Sequence, residues 1–369
     1  MTLTTLPDVT PRGYVQVMRS ESRTTTSTED RIAAVLGWLL VSGLYADGWA
    51  HVNVPGLETF FTPWHAVLYG SFALLVAWLS VIVLRRRDAA GWRARVPRGY
   101  GWGWAGVAVF AAGGLADMTW HLAFGVEAGI DALVSPTHLV LLGGGLLMIL
   151  SPFRGQPRHG RTWTWPVVLS LAAATALVGF FLSYVSVFTE PAAREVLSSI
   201  PEGAPGHRAA ELPAVAGLGG YLVTTLLFVA PLISLHRRRR LPTGTVAVVV
   251  AAVALPAAFL SNLAFIAPAL CAVVGAVVVD LLLHAYPALP DVALAGLLPV
   301  LAWAGQLAGL AALGLLAWPP ELWAGVVVLT ALLAALLTWL LPRTVSTAEP
   351  DVVARVLAEF PLPLHRSTP

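Results

Sequence analysis

The chain has 369 residues, 57% of them hydrophobic and 11% charged, with a net charge of +2. Charged residues make up about a quarter of an ordinary soluble domain, so this composition excludes a soluble globular protein; the small net charge gives no sign of a nucleic-acid partner, and none is expected. All 22 basic residues are Arg, and the lone cysteine, Cys271, sits in an apolar run, which excludes an intrachain disulfide framework or a thiolate metal cluster.

Residues 1–30 are polar and rich in Thr, Ser and Arg. They lack the apolar stretch of a signal peptide and are expected to form a disordered cytosolic tail. Apolar runs then recur along the chain, each long enough to cross a bilayer. Ten spans are expected: 31–50, 63–84, 101–122, 136–153, 164–188, 213–235, 244–261, 264–285, 292–317 and 320–341. The seventh and eighth are separated only by "SNLAFIAP", so the sequence also allows one broken span there. Residues 189–212 are the longest expected external loop, and 342–369 read as a second cytosolic tail.

Basic clusters at 85–87, 93–98, 154–161, 237–240 and 343 fall where an even number of spans has been crossed. By the positive-inside rule both termini are then cytoplasmic. The fold class is all-α, a polytopic helical bundle embedded in the lipid bilayer of the plasma membrane. The first four spans (31–153) and the last six (154–341) are expected to form two parts.

Ionisable residues interrupt this apolar chain in one repeated pattern. The first copy carries Asp47, His51, Glu58 and Thr62-Pro63-Trp64-His65; the second carries Asp117, His121, Glu127 and Ser135-Pro136-Thr137-His138. Asp and His four residues apart share one helix face. Thr-Pro and Ser-Pro are helix starts, a hydroxyl cap followed by Pro in the first turn. Each copy therefore reads as a helical hairpin, with Asp and His leaving one span and a second His entering the next, all at similar depth and toward the outer face. Two imidazoles and a carboxylate can hold zinc, non-haem iron or copper. Glu58 and Glu127, in the connecting loops, are candidate supporting groups as an extra ligand, an orienting partner or a proton acceptor. Interfacial Asp and His also cap helices or bond neighbouring ones. Against that bland reading, an Asp at mid-bilayer costs about 2.5–3.5 kcal/mol, and here the ordered set occurs twice.

At these residues the sequence resembles the C subunit of the copper membrane monooxygenases, the particulate methane, ammonia and hydrocarbon monooxygenase family. That family carries a D-x-T-W-H element followed by F-T-P-S-H. Matching it are Asp117-Met118-Thr119-Trp120-His121 with Ser135-Pro136-Thr137-His138, and Asp47 and His51 with Phe61-Thr62-Pro63-Trp64-His65. The resemblance covers residues 40–150 and implies copper held by Asp117, His121 and His138, and by Asp47, His51 and His65. It further implies oxidation of a small apolar substrate with oxygen, and partner subunits or a homo-oligomer. Both copies here begin with Asp, whereas the family's second ligand set begins with Asn. The last six spans have no counterpart in the family.

Two other readings follow from the same residues: a non-catalytic membrane protein that binds or hands on copper, and a zinc-dependent membrane hydrolase with Glu58 or Glu127 as base. Asp280 and His284 form a third Asp-x-x-x-His pair, with no Pro-x-His element after it. A buried hydrogen-bonded pair is the expected role there, with additional metal ligation or a proton relay as the alternative.

Overall fold

The computed structural model describes residues 24–55, 61–89, 91–125, 129–157, 160–197 and 200–341. Among these the chain is helical, and the only β-type pairing is an isolated bridge between Thr162 and Arg240. The ten main helices are α1 (Ser27–Asn53), α2 (Pro63–Leu84), α3 (Gly101–Phe124), α4 (Pro136–Ile149), α5 (Trp165–Phe181), α6 (His207–His236), α7 (Thr245–Leu260), α8 (Ile266–Ala285), α9 (Asp291–Ala312) and α10 (Pro320–Leu340). Seven of them are long and apolar enough to cross a membrane: α1, α2, α3, α6, α8, α9 and α10. Helices α4, α5 and α7 are shorter, with 14, 17 and 16 residues. At 1.5 Å per residue α4 is about 21 Å long, less than the ~30 Å hydrocarbon layer.

Local chemistry sets the helix ends. Thr62 accepts the backbone N–H of His65 at 3.1 Å and the Ser135 hydroxyl faces the His138 N–H in the same way at a looser 3.5 Å, with Pro63 and Pro136 next in line as the sequence implies. Helix α1 starts at Ser27 rather than 31, because Thr26 and Glu29 close a reciprocal capping box. Its first turn is tied down: Asp30 accepts from Thr25 and Tyr100 at 2.7 Å and from Gln156 at 3.2 Å, and Glu29 pairs with Arg86 at 2.8 Å. Residues 24–30 thus belong to the bundle; 1–23 and 342–369 lie outside the described residues.

The expected fifth span stops early. Helix α5 ends at Phe181 and a 3-10 turn, Ser183–Val185, follows. The connection to α6 carries a second such turn, Ala192–Arg194, and α6 itself begins at His207 and runs through Pro213. The expected seventh and eighth spans correspond to two separate helices, because Asn262 and Leu263 adopt φ of 54° and 62° and reverse the chain.

Close glycine contacts bring the helices together. A Cβ on Gly144 of α4 would lie 2.6 Å from the Phe110 nitrogen of α3, and one on Gly106 would lie 2.7 Å from the Gly144 oxygen. Helix α5 is the most enclosed, taking hydrogen bonds from Trp38 and Tyr45 of α1 onto its Leu169 and Ala176 carbonyls, both at 3.0 Å. The arginine clusters gather at one end. Arg86 meets the start of α1, Arg240 hydrogen-bonds Arg161, and Arg237 pairs with Asp291. The two Asp/His/His groups lie at the other end of α1–α4.

Candidate metal centre

Asp47 and His51 leave the last turns of α1, and His65 enters on the first turn of α2. One carboxylate oxygen, Asp47 Oδ2, stands 3.7 Å from His51 Nε2 and 3.5 Å from His65 Nε2. In the second group, Asp117 and His121 end α3 and His138 begins α4. Asp117 Oδ2 is 3.6 Å from His121 Nε2, and Asp117 Oδ1 is 3.0 Å from His138 Nε2. In each group the three potential ligand atoms all lie within 4.8 Å of one another.

In the first group the spacings discriminate between hydrogen bonding and ligation. An N–H···O bond falls at 2.7–3.2 Å, so 3.5–3.7 Å is too long for one. Two ligands on one ion at roughly 2.1 Å, tetrahedrally disposed, stand about 3.4 Å apart. The first group has that spacing on both of its Asp–His edges.

The outer nitrogens are oriented as metal-binding histidines require. His121 Nδ1 is 3.2 Å from the Gly125 carbonyl, His138 Nδ1 meets the Ala132 carbonyl, and His65 Nδ1 is 3.2 Å from the Thr62 hydroxyl. Donation of Nδ1–H to a carbonyl leaves the Nε2 lone pair turned inward, toward the carboxylate. Gly125, at φ +86°, allows the tight turn that presents its carbonyl to His121.

The two groups differ in one respect. Asp117 Oδ1 accepts from the Thr137 hydroxyl at 2.9 Å, and Thr137 in turn meets Ser135 at 3.1 Å. The position matching Thr137 in the first copy is Trp64, whose ring packs edge-on against Trp49 at 5.6 Å. An indole so placed supplies no such hydroxyl, and among the described residues the buried Asp47 Oδ1 has no hydrogen-bond partner. A buried polar atom left this way costs about 1–3 kcal/mol, and a cation beside the three side chains would offset it by neutralising the carboxylate. The residues therefore fit a metal ion.

All six side chains line one cavity of about 680 Å³. The groups are near enough to interact electrostatically, Asp47 with Asp117 and His138, and His51 with His121 and His138. Tyr69, one turn beyond His65, also lines the cavity, its ring centroid 6.3 Å from that of His65. Gly114 makes room for it, since a Cβ there would come within 2.9 Å of the phenol ring. The sequence reading missed Tyr69, although its spacing of four from His65 was a signal.

Glu58 and Glu127 lie outside the described residues. Asp280 and His284 are not brought into a third ligand group among the described residues. Asp280 instead accepts the backbone N–H groups of Val246 and Ala247 at 3.2 and 2.8 Å, capping α7, while His284 Nδ1 lies 3.4 Å from the Thr243 hydroxyl. Asn262 joins the two halves of the chain at the metal end, accepting from Trp49 at 2.8 Å and donating to Asn53 at 2.5 Å. Gln306 is buried and takes the Tyr221 hydroxyl at 2.7 Å. Comparison with known proteins finds no matching family model, no similar curated protein and no similar solved structure.

Proposed function

We propose that the chain is a copper-binding membrane protein similar to a monooxygenase C subunit, which acts on a small apolar substrate with oxygen. The single observation that carries metal binding is the first group: Asp47 Oδ2 stands at coordination spacing from His51 Nε2 and His65 Nε2, and the other oxygen of the same buried carboxylate, Oδ1, has no hydrogen-bond partner among the described residues. The choice of copper rests on the D-x-T-W-H and T-P-x-H residues. In this reading all ten helices belong to the membrane bundle of the plasma membrane. The arginine-rich end and both termini are cytoplasmic, and the metal end faces outward. Partner subunits or further copies of the chain complete the assembly.

Bound copper supplies one-electron chemistry toward oxygen. The chain's own residues hold and shape the site. Asp47, His51 and His65, with Asp117, His121 and His138, hold the ions. Thr62, Ala132 and Gly125 orient the imidazoles through Nδ1. Thr137 fixes the Asp117 carboxylate. Leu and Phe walls admit an apolar molecule and limit water.

A second reading, a copper-binding protein that passes metal on, is favoured by the two ligand groups sharing one cavity. The zinc hydrolase reading needs a base beside the ion and depends on Glu58 or Glu127. Electron paramagnetic resonance on copper-loaded protein, and oxygen uptake by that protein supplied with an external two-electron donor such as a quinol, separate the three. Nitrogen hyperfine structure with substrate-dependent oxygen uptake supports the monooxygenase reading. Copper transfer to an acceptor chelator without oxygen uptake supports the handling reading. Selective retention of zinc with ester or peptide hydrolysis supports the third.

A further inference from the structure

The cavity extends well past the two ligand groups. Its volume of about 680 Å³ is room for on the order of twenty methylene-sized units, taking ~30 Å³ for each as for a molecule of liquid water. A one-carbon or two-carbon molecule would leave most of it empty. The walls beyond the ligands are chiefly aliphatic and aromatic, among them Leu44 of α1, Leu133 of the short helix Ile130–Val134, Leu142 of α4, and Leu177, Phe180 and Phe181 of α5 or its end. The far side is closed by residues 183–195 against α6. There Gly217 packs so tightly that a Cβ would lie 2.3 Å from the Ala192 Cβ. Polar lining on that side comes from Ser183, Tyr184, Ser186 and Thr189, with the exposed Glu190 and Glu195 at the rim. Cavities of 300–1,000 Å³ with apolar walls and a few convergent polar groups are ordinary small-molecule sites.

We propose that this cavity binds one medium-chain hydrocarbon body of about ten to twenty carbons. It lies along the Leu and Phe walls with one end at the Asp/His/His groups. The inference deepens the function proposed above, and the occupant's role as substrate rests on that reading; its binding does not. One wall links the occupant to the metal groups. Ile130, Ala132 and Leu133 line the cavity, and the Ala132 carbonyl is the partner of His138 Nδ1. A molecule seated on that wall is one hydrogen bond from a ligand.

The test uses the full chain in nanodiscs, stripped of metal with a chelator, and a dodecane bearing a terminal diazirine. Illumination should label peptides spanning 129–145 and 177–190, saturably. Excess n-dodecane should abolish that labelling. Propane at the same bilayer concentration should compete at least about tenfold less well, since it leaves most of the apolar wall without contacts. Leu44→Trp and Leu142→Trp fill the cavity from two helices, and each should suppress labelling while the melting temperature is kept. Labelling that never saturates, that falls on outward residues such as Leu336 and Trp339, or that propane blocks as well as dodecane, overturns the proposal. If a Trp variant fails to fold, the competition series on the unaltered chain decides alone. Metal titration of the same preparation reports separately: hydrocarbon labelling without metal uptake removes the proposed function and keeps this site, and the reverse result removes only this site.

Discussion

Asp47 and Asp117 occupy matching positions but should respond oppositely to the same change. Asp117 is held by the Thr137 hydroxyl at 2.9 Å, whereas Asp47 Oδ1 is buried without a hydrogen-bond partner among the described residues. In metal-free protein, Asp117→Asn keeps the shape but removes a charge-assisted contact worth about 1.5–3 kcal/mol. Asp47→Asn removes a buried charge that lacks compensation and should stabilise the metal-free chain by about 1–3 kcal/mol. For domains of 150–250 residues 1 kcal/mol moves the melting temperature by about 2–4 °C, so the two variants should diverge by several degrees in opposite directions. The assay is thermal unfolding in detergent, with chelator and then with copper. Saturating copper at about a thousandfold above Kd should raise the unaltered chain by about 4 kcal/mol per site. Each Asn variant should lose the share of one site. Equal destabilisation by both variants without metal would refute the claim that Asp47 awaits a cation, and would make both groups ordinary polar networks.

Thr137→Val should cost about 1 kcal/mol and weaken metal binding at the second group while leaving the first unchanged, as read by titration against a competing chelator. Gly144→Val places a Cβ 2.6 Å from the Phe110 backbone; by pushing α4 from α3 it should separate His138 from Asp117, and metal content should fall by one ion per chain. Asp280→Ala frees two N–H groups at the start of α7 and should lower stability by about 1–3 kcal/mol with metal content unchanged; a lost ion in that variant would restore Asp280 as a ligand.

The all-helical, membrane-type architecture was legible because apolar runs and polar breaks alternate along the whole chain. The ligand groups were legible for a local reason. Asp and His four apart must share a helix face, and Thr-Pro or Ser-Pro must open the next helix, so three side chains converge without any knowledge of the rest. Features that depend on distant packing were not legible. The shared cavity needs α5 and residues 183–195 to close around the hairpins, and no local pattern encodes that closure. The Asp280-x-x-x-His284 spacing copies the motif, yet Asp280 is spent on two α7 backbone N–H groups from a neighbouring helix. The early start of α1 was visible in Thr26 and Glu29, but the apolar window began later and hid it. The difference between the groups was visible as Trp64 against Thr137; its consequence required seeing where the Thr137 hydroxyl points.

Each Asp/His/His group should hold one metal ion. Metal content per chain by mass spectrometry, after reconstitution with copper and removal of excess, tests it directly on four proteins: the unaltered chain, His51→Ala/His65→Ala, His121→Ala/His138→Ala, and all four changes together. The account predicts two ions, one, one and none. Two ions in either double variant, or none in the unaltered chain with copper or zinc, would contradict it.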